Sequence, residues 1–166
     1  LAHYDPLQEG LGVLAEYLSG YLPGERLRVL AARVVAADMA IHGEDIPAVF
    51  ACLHDAHGFS TADAFDIAVR ALRGGGLTKD AVYLRGLRDL LGHLGSGGSF
   101  EWLFAGKFAL DHLPVLEQLA AAGWVLPPAL LPRYALAEGF DDVLARCRQA
   151  GVAGLHHVHP PSLASQ

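Results

Sequence analysis

The sequence has few of the residues that mark several common classes of protein. Two cysteines in 166 residues are too few for a disulfide framework. Only 12 basic residues stand against 18 acidic ones, and the net charge of −6 argues against nucleic-acid binding, which needs a basic face. No apolar run approaches the roughly 20 residues that span a bilayer, and we expect no signal peptide. The composition predicts a cytoplasmic protein in which Cys52 and Cys147 are reduced thiols.

Methionine is also scarce. The single methionine is Met39, whereas the chain starts at Leu1. Because a natural translation product starts with methionine, we expect further residues upstream of Leu1. The chain is therefore interpreted as a fragment of a longer protein.

Apolar residues, with leucine and alanine foremost, make up 52% of the chain. Because β-branched residues are few, this composition favours helices over strands. We predict an all-α fold, with a single helical domain of about seven helices over residues 1–155 and a disordered tail at 156–166. Leucine spacing and glycine or proline breaks place the helices at about 7–18, 25–41, 45–57, 61–73, 78–94, 108–122 and 137–150, with a short one at 100–104.

The fourth of these helices has the clearest start signal. Ser60, followed by an acid at Asp63, is predicted to cap it. Its predicted buried stripe consists of Phe65, Ala68, Val69 and Leu72.

The first residue that suggests chemistry is Glu9, in the segment QEGLG at residues 8–12. On a helical wheel Glu9 lies away from the leucine stripe of the first helix. One interpretation is a solvated acid in a first helical turn, where negative charge is favourable. The other is a carboxylate that is free to face a neighbouring group. Glu16 lies two turns on and has the same simple explanation.

The second candidate is the segment RGGGLTKD at residues 73–80, followed by Tyr83. Glycines before a helix start let backbone N–H groups approach an anion, although a plain flexible linker has the same composition. Lys79, Asp80 and Tyr83 lie along or beside the leucine arc of the following helix, and inward polar groups need partners. The segment therefore predicts a cleft as readily as a linker. The Walker spacing of a phosphate loop is absent.

Histidines provide a weaker candidate. His54 and His57 are spaced to share a metal, but the glutamate of a zinc-protease helix is missing between them, so a surface or capping pair is favoured. His156, His157 and His159 lie near the end of the chain, where adventitious metal binding is the simplest interpretation.

Two long segments resemble the flavohaemoglobin expression-modulating QEGLA-motif family. The first is HYDPLQEGLGVLAEY at residues 3–17, in which Gly12 replaces the final alanine of the motif. The second is GGGLTKDAVYLRG at residues 74–86, and Phe104–Lys107 and Pro127–Pro128 fit the later part of the family pattern. The resemblance covers about residues 1–150.

That family is similar to the microtubule-associated tyrosine carboxypeptidases, which are gluzincin-like zinc enzymes. The resemblance implies that two zinc-binding histidines and a catalytic glutamate come from a His-Glu-x-x-x-His helix, and that Glu9 is the third protein ligand. Zinc then polarises the scissile carbonyl, and the upstream glutamate acts as general base.

The glycine segment would then bind a terminal carboxylate of a peptide or protein substrate. We assign substrate binding to Arg73, Gly75, Gly76, Thr78 and Lys79. The hydroxyl of Tyr83 is assigned the catalytic role of donating to the developing oxyanion.

The sequence departs from the family pattern because it contains no His-Glu-x-x-x-His helix, which in the family precedes the QEGLA segment. One carboxylate cannot hold zinc, which takes three or four ligands. We therefore expect this chain alone to be inactive and not to bind zinc, and to present an apolar face to the missing N-terminal half or to a second copy of itself. The rival interpretation is a non-enzymatic helical module that binds a protein partner.

Overall fold

The computed structural model describes residues 3–73 and 79–157, without the side chains of residues 156 and 157. The helices are α1 Asp5–Leu18, α2 Gly24–Ile41, α3 Ile46–Ala51, α4 Thr61–Leu72, α5 Lys79–Gly95, α6 Leu113–Ala121 and α7 Phe140–Gln149. A π-helical turn at Cys52–Ala56 continues α3, and 3-10 turns lie at Glu101–Phe104, Leu110–His112, Arg133–Leu136 and Gly154–His157. Over the described ranges there are seven α-helices and no strand, which confirms the all-α prediction. The predicted tail from residue 158 onward lies outside these ranges.

The chain divides into two compact units. The central unit is Pro23–Leu84, and the flanking unit combines Leu1–Leu22 with Arg85–Gln166. The boundary falls inside α5, so the first residues of that helix belong to the central unit. Within residues 3–73 and 79–157, none of the helices combines the length and apolar character that crossing a membrane requires.

The core of the central unit is built largely from alanine. Ala32 and Ala36 of α2 pack with Ala64 and Ala68 of α4. Val49, Leu53, Phe59, Ile67 and Ala71 complete this core. Small side chains let the helices approach closely, and the surrounding larger residues fill the remaining space.

The predicted buried stripe of α4 is wrong by about one residue. Phe65 is 53% exposed, and Val69 and Leu72 are half-buried. The buried face instead consists of Ala64, Ile67, Ala68 and Ala71. Both sets of residues have helical spacing, and the contact with α2 selects the face that carries alanine.

Local capping agrees with the sequence. The Ser60 hydroxyl accepts a hydrogen bond from the Asp63 N–H at 3.1 Å and donates to the Asp63 carboxylate at 2.6 Å, as predicted for the start of α4. Gly58, two residues after the π-helical turn, has φ +65°, a conformation that glycine adopts without strain.

In the flanking unit, four of the five leucines predicted to form the buried arc of α5 are buried, and the fifth, Leu84, belongs to the central unit and is half-buried. Leu87, Leu90, Leu91 and Leu94 are all buried, whereas Arg85 and Arg88 are exposed. A second part of this core is aromatic, because the rings of Phe104, Tyr134 and Phe140 surround Phe100 at centroid distances of 5.1 to 6.5 Å. Cys147 of α7 is fully buried, and burial raises the pKa of its thiol to about 12.

Candidate functional site

Glu9 lies in the second turn of α1, half-buried in the flanking unit. Its neighbour Gly10 is buried against α5. A Cβ on Gly10 would clash with the Gly86 carbonyl carbon and lie 2.7 Å from the Leu87 nitrogen. A Cβ on Gly86 would clash with the Pro6 oxygen and lie 3.1 Å from the Gly10 Cα. Only glycine therefore fits at the crossing of α1 and α5, and this crossing fixes the rotation of α1 and with it the direction of Glu9.

Position 12, where glycine stands in place of the alanine of the QEGLA motif, lies away from this crossing. A Cβ at position 12 would meet nothing within 4 Å, and the residue is exposed. Glycine and alanine both fit there, whereas at position 10 only glycine does.

Three separate segments of the sequence meet around the start of α1. The first signature contributes Tyr4, Glu9 and Gly10, and Gly86, which ends the second signature, contacts Gly10. Lys107, from the later segment Phe104–Lys107, places its ammonium group 5.5 Å from the centre of the Tyr4 ring, within the range of a cation–π contact. Within the flanking unit, the first signature therefore contacts the last residue of the second signature and one residue of the later segment.

The central unit contains a buried carboxylate at the start of α5. Asp80 is 5% exposed and is the one polar residue buried to this degree among those that the structure describes. Its Oδ1 accepts hydrogen bonds from the Nε and Nη2 of Arg33 and from the Nε of Arg70. Its Oδ2 accepts a further bond from the Arg70 Nε at 3.2 Å. Pairing with two guanidinium groups offsets the cost of burying the charge.

Tyr83 is tied to this cluster through its ring. The Arg33 guanidinium carbon lies 4.9 Å from the ring centre of Tyr83, one turn after Asp80 on α5. Tyr83 is half-buried, as its place at the edge of the leucine arc predicted.

The other residues that we assigned to substrate binding are partly placed. Arg73 follows the last residue of α4 and Lys79 begins α5, and both are exposed. The inward position predicted for Lys79 beside the leucine arc is therefore wrong, whereas Asp80 does face inward. Gly75, Gly76 and Thr78 lie outside the described residues. Sequence reasoning missed Arg33 and Arg70. A signal was present for Arg33, since an arginine inside the apolar stretch LAARVVAA at residues 30–37 calls for a buried partner.

Basic charge is concentrated at this end of the central unit. Arg33, Arg70, Arg73 and Lys79 are four of the 12 basic residues of the chain. Asp80 is the acid that pairs with two of them. In a chain of net charge −6, this local excess of positive charge favours the binding of an anion.

No group of three or more His, Cys, Asp or Glu side chains that could hold a metal occurs in the described part of the chain. The ring of His54 is instead hydrogen-bonded to the Phe59 carbonyl oxygen at 2.8 Å and stacked on Phe50. Glu9 can offer zinc one carboxylate, whereas a zinc site takes three or four ligands.

Comparison with known proteins identifies the family. Neither the curated proteins nor the solved structures contain a significant match to the chain. The model of the family described as microtubule-associated tyrosine carboxypeptidase matches residues 1–151, which include both signature segments and the sites above. The chain therefore belongs to the microtubule-associated tyrosine carboxypeptidase family.

Proposed function

We propose that this chain binds the carboxyl terminus of a peptide or protein and contributes one metal ligand to a gluzincin-like zinc carboxypeptidase. The observation that carries the proposal is the basic end of the central unit, where Asp80 neutralises only part of the charge of Arg33 and Arg70. Membership of a carboxypeptidase family supports a substrate that ends in a carboxylate.

In this proposal the exposed side chains of Arg73 and Lys79 attract the terminal carboxylate. Gly75, Gly76 and Thr78, which the sequence assigns to the same task, contribute further donors to it. The hydroxyl of Tyr83 donates to the oxyanion that develops on the scissile carbonyl. The packing of its ring beside Arg33 supports this role, because a catalytic donor must be held in place.

Glu9 is the zinc ligand that the chain contributes. The Gly10–Gly86 contact supports this assignment, because a metal ligand needs a fixed direction and the crossing of α1 and α5 provides it. The remaining ligands come from residues outside those described here. We accordingly propose that the chain by itself does not hydrolyse peptides.

The test is the zinc content of the full-length gene product beside its Glu9→Ala variant. We expect about one zinc per chain in the natural protein, and loss or marked weakening of binding in the variant. A Glu16→Ala variant, which removes an acid from the same helix, is the matched control and retains its zinc. Full zinc content in the Glu9→Ala protein would remove Glu9 from the metal site.

A second candidate function is a non-enzymatic module that binds a protein partner. It is favoured by the exposed apolar side chains of the segment 124–136, of which Trp124, Leu126 and Leu130 are each more than 80% exposed. A full-length protein that is purified without chelators, is folded, and contains no zinc would favour this function over the peptidase.

A further inference from the structure

Asp80 is shared unequally by its two arginines. Arg33 gives both its Nε and its Nη2 to Asp80, and its side chain is only 11% exposed. This guanidinium is enclosed by Asp80 and the Tyr83 ring, and it neutralises the buried carboxylate. Arg33 therefore has little capacity left for a ligand.

Arg70 binds Asp80 differently. It uses its Nε alone, at 3.0 Å from Oδ1 and 3.2 Å from Oδ2, and its side chain is 42% exposed. Among the residues described, neither Nη group of Arg70 has a hydrogen-bond partner. The guanidinium group of Arg70 is thus held at its Nε on a partly exposed side chain, and its terminal fork has no hydrogen-bond partner within residues 3–73 and 79–157.

We propose that the terminal fork of Arg70 binds the planar carboxylate of the ligand through two parallel N–H···O bonds, and that Asp80 is the positioning residue that holds the fork in place. The inference rests on the proposed function, since it assigns the residue that takes the carboxyl end of the peptide substrate. Two guanidinium groups and one carboxylate leave one positive charge in the cluster, and it is available at the exposed group.

The neighbouring basic residues Arg73 and Lys79 add positive charge beside the terminal fork of Arg70. Arg73 lies one turn after Arg70 on the same helix, where it adds positive charge. A lysine ammonium attracts an anion as a point charge, whereas the fork of an arginine matches the two oxygens of a carboxylate. This geometry recognises either the terminal carboxylate of a chain or the side-chain carboxylate of a glutamate.

The experiment measures peptide binding to this chain by calorimetry, with three peptides that differ only at the carboxyl end. The first ends in a free carboxylate, the second is amidated, and the third is amidated and ends in glutamate. We expect the free acid to bind at least about 10-fold more tightly than either amide, as charge-assisted hydrogen bonds of this kind warrant. In Arg70→Gln this preference disappears, and in Arg70→Lys it is reduced because the charge remains but the fork does not.

The matched control is Arg88→Gln, which removes the same charge from an exposed arginine paired with Asp89. It retains the preference for the free acid. If the natural chain prefers the free acid and Arg70→Gln keeps that preference, the assignment of Arg70 is overturned while the proposed function stands. If the natural chain does not distinguish the free acid from the amide, both fail. Equal binding of the glutamate amide would overturn the assignment to a terminal carboxylate.

The positioning role of Asp80 is tested with Asp80→Asn and Asp80→Glu. A positioning role predicts that the asparagine variant loses the preference for the free acid and that the glutamate variant restores part of it. Retention of the full preference in folded Asp80→Asn would overturn the positioning role. Because the asparagine leaves Arg33 without its anion, the folding of this variant is checked by circular dichroism. If it does not fold, the preference for the free acid is compared in Asp80→Glu and Arg70→Lys instead, and a full preference in Asp80→Glu would overturn the positioning role.

Discussion

At the scale of single residues, burial makes the hydroxyl of Tyr134 an unusually weak acid. Its ring lies in the aromatic group around Phe100, and burial raises its pKa from 10.0 to about 12. Because the folded state holds this proton more tightly than the unfolded state, the corresponding stabilisation is complete below pH 10. It is lost as the pH rises through 12.

We therefore expect the free energy of unfolding to fall between pH 10 and pH 12, and to fall less steeply in Tyr134→Phe. Urea denaturation at several alkaline pH values measures this slope. Tyr21→Phe is the matched control, since Tyr21 is 80% exposed and its removal leaves the slope unchanged. Equal slopes in the natural chain and in Tyr134→Phe would contradict the attribution.

The cluster of Asp80, Arg33 and Arg70 shows which contacts a single sequence does not reveal. Asp80 was placed on the inward side of its helix from the leucine spacing alone, and it is buried. Its partner Arg33 lies 47 residues earlier on another helix. A local pattern indicates that a buried acid needs a partner, but the tertiary fold decides which arginine provides it.

At the scale of helices, α1 offers a matched pair of glycines two residues apart. We expect Gly12→Ala to raise the free energy of unfolding by about 0.5–1 kcal/mol, since the new methyl group meets open space and alanine favours the helix. Gly10→Ala should lower it by about 1–3 kcal/mol, because the methyl group collides with the backbone of α5.

Urea denaturation of both variants measures this contrast. Since both carry the same change on the same helix, helix propensity cancels and the difference reports the contact with Gly86. If the two variants have the same stability, α1 and α5 do not touch as described.

The positions of the helices were predicted from the sequence more accurately than the faces that they bury. The spacing of leucines in α5 and the cap at Ser60 depend on local geometry, and both were predicted correctly. The buried face of α4 depends on its neighbour, since Ala32 and Ala36 of α2 accept a surface of small residues. Phe65 was placed inward because helical spacing alone does not distinguish its face from the alanine face.

At the scale of the whole chain, exposed apolar residues concentrate in one stretch. Trp124, Leu126 and Leu130 are 82%, 82% and 85% exposed in the flanking unit. Exposed apolar side chains lose contact with water when they are covered, so we expect the chain to self-associate through this stretch as its concentration rises.

Light scattering over a range of concentrations measures the association. Leu130→Ser should weaken it, whereas Tyr21→Ser, at a residue 80% exposed outside the stretch, should not. A clean monomer at high concentration would contradict the prediction and leave the exposed residues without a partner among copies of this chain.

The contact between Gly10 and Gly86 also affects how genomes can be searched for proteins of this kind. A glutamate that matches position 9 shows little by itself, because an isolated carboxylate on a helix is common. A gene that encodes glycine at both matching positions preserves the crossing that aims the glutamate. A gene that keeps the glutamate but has a larger residue at either glycine cannot form the same close contact, so the glycine pair is a more specific search criterion than the glutamate.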